Sequence, residues 1–174
     1  MFRYAEYDDI EVIMSIVAKT ITLMKKEGNP QWNEDYPTKE VFINDIESHS
    51  LYIYETLDIT THYESVVAAA FICINDICPI EYSTVDWSKD ITEEATYVHR
   101  LAIDPAYRRM GIGKALLTFA DDMAKYERTD YLRSDTNSMN RGMNALFEKC
   151  GYTKRGEIYL RFFPEHFNCY DKVL

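Results

Sequence analysis

This 174-residue sequence offers no metal, membrane or nucleic-acid signature. Its four cysteines, Cys73, Cys78, Cys150 and Cys169, form no C-x-x-C pair and show no metal-ligand spacing, so neither a metal centre nor a disulfide framework is expected. Free thiols suit a reducing compartment, and Cys73, set in an apolar run, reads as a small core residue. No apolar run approaches the roughly 20 residues of a membrane span, and "MFRYAEYDDI" lacks the pattern of a signal peptide. Together these absences predict a soluble cytoplasmic protein. Basic residues are also few: 19 Lys and Arg stand against 29 Asp and Glu, a net charge of −10. Phosphate repels such a surface, which argues against nucleic acid as the main partner and leaves cations, such as amines or basic peptides, as the attracted class. Repeats, linkers and low-complexity tracts are missing as well, so residues 1–174 are expected to form a single domain.

The chain is 47% hydrophobic and 14% aromatic, enough for a full core. Residues 2–7 alternate as a first strand, and Asp8 can cap a helix carrying Ile10, Ile13, Met14, Val17, Ile21 and Met24, stopped by Gly28. "NPQWNEDYP" reads as a loop with two exposed aromatics, Trp32 and Tyr36; Thr38 can cap a second helix with Val41, Phe42 and Ile46 inward. Residues 51–56 and 65–75 read as strands joined by a polar turn in a hairpin, and residues 76–95 as irregular. A strand at 96–103, a helix at 111–127, a strand at 130–136 and a helix at 139–150 follow, the last stopped by Gly151. Two antiparallel strands, 152–160 and 166–174, complete the pattern. The expected fold class is α+β, a mixed central sheet flanked by about four helices.

The chemistry concentrates in "HRLAIDPAYRRMGIGKALLTFA", residues 99–120. A nucleotide P-loop would need glycine where Arg108 stands, and a dinucleotide fingerprint would need a third glycine where Leu116 stands. What remains is R-x-x-G-x-G, with Arg108, Gly111 and Gly113 opening a helix. Glycines admit a bulky anion to the backbone, and a helix start offers unpaired N–H groups. Arg108, Arg109 and Lys114 add full positive charges. A pyrophosphate fits this chemistry.

"HRLAIDPAYRRMGIGKALL" and, further on, "DTNSMNRGMNALFEKCGY" at residues 135–152 resemble the two signatures of the Gcn5-related N-acetyltransferases, the second being N-x-x-A-x-x-L-Y-E-K-x-G-F. The resemblance implies an N-acetyltransferase moving an acetyl group from acetyl-CoA to a primary amine by direct attack in a ternary complex. It implies that Arg108, Gly111, Ile112 and Gly113 cradle the coenzyme A pyrophosphate, while Leu101, Ala102 and Ile103 pair their backbone with the pantetheine arm. Asn140 would bond that arm, and the central strand and its neighbour would splay to form the slot. A homodimer is possible within this reading, and no acceptor is singled out among small polyamines, amino sugars, peptide N-termini and lysines. Two positions depart from the signature: Met143 replaces the alanine, and Phe147 replaces a tyrosine that in many relatives protonates the departing thiolate. That second departure sustains the alternative of a non-catalytic acyl-CoA-binding module.

For the base, Tyr97 and His99 share one face of the central strand, and histidine ordinarily titrates near neutrality. His99 could equally hold loops in place; Glu93, Glu94 and Asp135 are lesser candidates. A backbone N–H near Leu101 or Ala102 would polarise the carbonyl. Tyr152, Tyr159 or Tyr170 could supply the hydroxyl that Phe147 lacks. Trp32, Tyr36, Tyr82 and Trp87 either wall the acceptor pocket or cover the core edge.

Overall fold

The computed structural model describes residues 1–61 and 65–174. Phe2–Tyr4 (β1) pairs antiparallel with Leu51–Leu57 (β2), which pairs antiparallel with Val66–Asn75 (β3). Residues 62–64 of the expected hairpin turn lie outside the described residues. Next come Thr96–Ile103 (β4) and Tyr131–Asn137 (β5), the one parallel pair among the described residues. Thr153–Ile158 (β6) forms the far edge, joined to β5 through Phe167–Val173 (β7). The result is one seven-stranded mixed sheet.

Strand β3 is apolar almost throughout because both its faces are covered. Phe71 and Cys73 face Ile10–Glu27 (α1) and Lys39–Glu47 (α2), packing with Ile13, Ile16 and Phe42. Ile72 and Ile74 face the other way, into a cluster with Leu116 and Leu117 of Ile112–Tyr126 (α3) and Phe147 of Arg141–Lys149 (α4). Gly28 closes α1 at φ 69°, in the left-handed region that glycine enters at no steric cost. The expected entry to α1 needs correction. Strand β1 ends at Tyr4, a short 3₁₀ turn occupies Tyr7–Asp9, and Asp9 rather than exposed Asp8 holds the cap position of α1, without a side-chain bond to that helix. Arg3 grips both Asp9 carboxylate oxygens at 2.7 Å, and Asp9 accepts the Glu6 N–H at 2.8 Å. Thr38 occupies the cap position of α2 without a side-chain bond to the helix.

Strand β4 is irregular along both of its edges. Its pairing with β5 runs from Thr96↔Leu132 to Val98↔Ser134 and stops there, the last pair fastened by the Ser134 hydroxyl donating to the Val98 carbonyl at 2.7 Å. Beyond it the two strands part, as expected. On the other edge, the register with β3 steps from Phe71↔Ala102 to Cys73↔His99, so Arg100 and Leu101 oppose Ile72 alone. This is a β-bulge, with Arg100 at φ 37°.

Candidate active site

Where β4 and β5 part, a narrow cleft of about 40 Å³ forms between Val98–Leu101, Ser134–Thr136 and the start of α4 at Asn140 and Met143. It adjoins a wider cavity of about 680 Å³ bounded by residues 31–36 and 158–167. His99, Arg100, Asp135, Gln31 and Trp32 line both spaces. A group entering by the cleft and another entering by the cavity would therefore meet at His99 and Asp135.

Asp135 is the polar residue best placed at that meeting point. The Tyr82 hydroxyl donates to one carboxylate oxygen at 2.7 Å, and the other has no hydrogen-bond partner among the described residues. Enclosure by the protein pushes its pKa up to about 6, with Glu81 adding repulsion and the Tyr82 bond opposing the rise. His99 moves the other way: burial, aided by the charge of Arg100, lowers its pKa to about 4. A histidine near neutrality was expected, so this is a correction. Tyr97 is corrected too. It is 2% exposed, lines neither space, has its pKa pushed up to about 12 mainly by burial, and accepts from Arg133 at 3.1 Å. Arg100 brings a charge to the junction that is already matched, its Nε and Nη2 each donating to Asp45 at 2.7 Å.

The aromatic candidates divide. Trp32 is not exposed; it is 4% accessible and stacks on Phe71 at 6.3 Å, yet its edge lines both spaces. Tyr36 lines the wide cavity. Tyr82 and Trp87 are core residues, not pocket walls: both are buried, and the Trp87 indole donates to the Tyr82 carbonyl at 2.9 Å. Tyr82 touches the chemistry only through Asp135. Sequence reasoning missed Phe162 and Phe163, which line the cavity from the segment between β6 and β7, and Phe167 at the start of β7; the "FFP" run in a loop was the available signal for the first two.

The glycine loop keeps the expected positions with altered reasons. Gly111 caps α3 at φ 81° with no side-chain bond, leaving the N–H groups of Ile112, Gly113 and Lys114 pointing out of the helix start. A Cβ on Gly111 would meet nothing within 4 Å, so its requirement is conformational. A Cβ on Gly113 would sit 2.8 Å from Leu146, so Gly113 serves the packing of α3 on α4. Ile112 sends its side chain into the core, offering only backbone. Arg109 also adopts positive φ, 64°, and Arg108 lies 3.6 Å from Glu27. The Asn140 amide donates to Gln31 and Thr136 at 3.0 and 3.1 Å while its oxygen accepts the Met143 N–H at 3.3 Å, leaving one lone pair for any other partner.

No tyrosine lines the narrow cleft among the described residues. Tyr152 is buried with its hydroxyl unpaired, Tyr170 donates to Asn144 at 2.7 Å, and Tyr159 is exposed elsewhere. Phe147 does line the cleft, 1% exposed and 5.0 Å from the rings of Tyr152 and Tyr170. Phe147→Tyr is therefore expected to give one of two paired results. A hydroxyl in the cleft would raise turnover with an unchanged melting temperature. A hydroxyl in the core would cost roughly 1–3 kcal/mol and leave turnover flat. Kinetics and thermal melts on the same preparation separate them.

The sequence matches the family model described as "Acetyltransferase (GNAT) family" over residues 21–152. An uncharacterized N-acetyltransferase of Bacillus subtilis, YesJ, is 21% identical over 154 residues, covering 87% of this chain and 81% of that protein. Among solved structures, a GNAT-family acetyltransferase of Streptococcus agalactiae superposes with a TM-score of 0.83 at 22% identity, covering 100% of this chain and 95% of the other. A chain of the NatC complex bound to Gag peptide and CoA gives 0.64 at 17% identity, covering 100% of this chain and 98% of its own. These likenesses are of fold. Among the described residues no helix is long and apolar enough to cross a membrane, and no three metal-ligating side chains cluster.

Proposed function

Because this chain belongs to the acetyltransferase (GNAT) family, we propose that it transfers an acetyl group from acetyl-CoA to a primary amine by direct attack in a ternary complex. The observation carrying this reading is the parting of β4 from β5 into a cleft that meets a wider cavity at the Asp135 carboxylate, which lines both. The residues fit the donor. Unpaired N–H groups at the start of α3, with Arg108, Arg109 and Lys114 beside them, suit a pyrophosphate, and the free edge of Leu101–Ile103 suits a pantetheine arm. Acetyl-CoA then supplies an activated thioester carbonyl.

Asp135 takes the proton of the acceptor ammonium. Burial raises Asp135 to about 6 and lowers His99 to about 4, so Asp135 is the stronger proton acceptor of the two at the junction. His99, neutral at ordinary pH, forms part of the wall. The bulge at Arg100 takes Leu101 out of one-to-one pairing with β3 while Ala102 stays opposite Phe71, so the Leu101 N–H is the donor for the charge that develops on the carbonyl oxygen. A thiol with pKa near ~8.5 leaves as thiolate without a tyrosine acid, so Phe147 does not by itself argue for a mere binder.

The loop assignment predicts that Arg108→Ala with Gly111→Ala raises the KM for acetyl-CoA about tenfold or more, through loss of charged donors and displacement of a φ 81° cap. The melting temperature should fall by only a few degrees. Wild-type KM in the double variant rejects the assignment. Coenzyme release across a panel of amines tests the reaction itself: tight coenzyme binding without turnover would make the chain an acyl-CoA-binding module.

A further inference from the structure

Resting on that reading, we infer that the wide cavity accepts a primary amine carried on an apolar aromatic body that bears no acidic group. Charge supports the first half. Asp35, Glu81 and Asp135 line the cavity, and Arg100 is its one cation among the described residues. Arg100 is already ion-paired: its Nε and Nη2 donate to Asp45 at 2.7 Å, Nη2 also reaches Cys73 at 3.2 Å, and Nη1 reaches the Tyr36 hydroxyl at 3.4 Å. A carboxylate on the acceptor would thus enter among three anions and meet a cation whose charge Asp45 already offsets, whereas an ammonium is drawn to Asp135.

The walls support the second half. Phe162 is 87% exposed although it lines the cavity beside Phe163, Leu160 and the Trp32 edge. An aromatic body seated there covers Phe162 and gains area burial that a small amine cannot. The same rings attract the cation while it approaches. A space of about 680 Å³ holds such a molecule, where a methyl- or ethylamine would leave most of it to water.

Three probes isolate the two features: phenylethylamine, ethylamine, which lacks the ring, and phenylalanine, which adds a carboxylate. Each is titrated into the enzyme–coenzyme A complex by calorimetry, and each is assayed with acetyl-CoA for product. Phenylethylamine should bind at least about 30-fold more tightly than ethylamine and at least about 100-fold more tightly than phenylalanine. Phe162→Ala, at an exposed position, should shrink the first ratio about fivefold without moving the melting temperature. Equal binding of the three, or preference for phenylalanine, overturns the inference whether or not acetyl transfer occurs. The expected order of binding with no acetylated product from any amine overturns the transfer reaction and leaves the inference standing.

Discussion

Asp135→Asn is expected to lower kcat for amine acetylation by about a hundredfold or more, while making the folded protein more stable at pH 8. General-base catalysis by a positioned side chain contributes typically 10²–10⁴-fold, and asparagine cannot accept the ammonium proton. It can still accept the Tyr82 hydroxyl that reaches Asp135 at 2.7 Å, so the wall should hold. The stability gain comes from the sign of the shift. Burial raises the folded-state pKa from its ordinary value of 3.8 to about 6, so the fold prefers the neutral carboxyl. That preference is fully present below pH 3.8 and is lost as pH rises through about 6, where the enclosed group must ionise. Two pKa units bound the penalty at about 3 kcal/mol, and a neutral isostere escapes it. Thermal melts should show the variant about 3–8 °C above wild type at pH 8 and level with it below pH 4. A site that gives up stability for reactivity behaves in this way.

The pH profile separates the two candidate bases. With Asp135 as base and an ammonium as the bound form, kcat/KM rises through about pH 6 and falls again near the amine pKa of ~10.4. In Asp135→Asn the rising limb disappears. With His99 as base the limb lies near pH 4, and Asp135→Asn keeps wild-type turnover. That second pattern would remove Asp135 from the mechanism.

Periodicity located the elements well, because β3, α1 and α3 bury continuous faces whose spacing is visible in one dimension. The glycine loop was legible for the same reason: its parts are neighbours in sequence. What escaped depends on residues far apart. Tyr82 and Asp135 are 53 positions distant and meet only because the segment after β3 folds beneath the sheet, which also turns Tyr82 and Trp87 into core. Neither the raised pKa of Asp135 nor the lowered one of His99 can be read from residue type, since enclosure sets both. Gly113 looked like a ligand-approach glycine, but the contact that requires it comes from Leu146 on α4. The bulge had no sequence marker at all, because arginine rather than glycine holds the positive φ at position 100.

That arginine explains the expected severity of Asp45→Ala: a loss of about 2–4 kcal/mol, a melting temperature lower by roughly 5–12 °C, and turnover reduced at least tenfold. The Arg100 and Asp45 side chains are only 18% and 10% exposed, and removing the carboxylate strands a cation against Cys73 and the cavity. A left-handed arginine persists only where its surroundings hold it, and the two 2.7 Å bonds to α2 are that hold. Released, Arg100 can return to extended backbone, flattening the bulge and withdrawing the Leu101 N–H proposed to meet the carbonyl. Adding Arg100→Gly to Asp45→Ala tests this directly. Glycine tolerates φ 37° and carries no charge, so the double variant should recover most of the lost stability and much of the turnover. The single variant also alters selectivity, because an unpaired Arg100 in the cavity is the free cation that a carboxylate-bearing acceptor lacks in the wild type. Phenylalanine should therefore gain on phenylethylamine in Asp45→Ala and lose that gain in the double variant. A single variant with wild-type melting temperature, turnover and acceptor order would show that the Arg100–Asp45 pair supports neither the bulge nor the charge of the cavity.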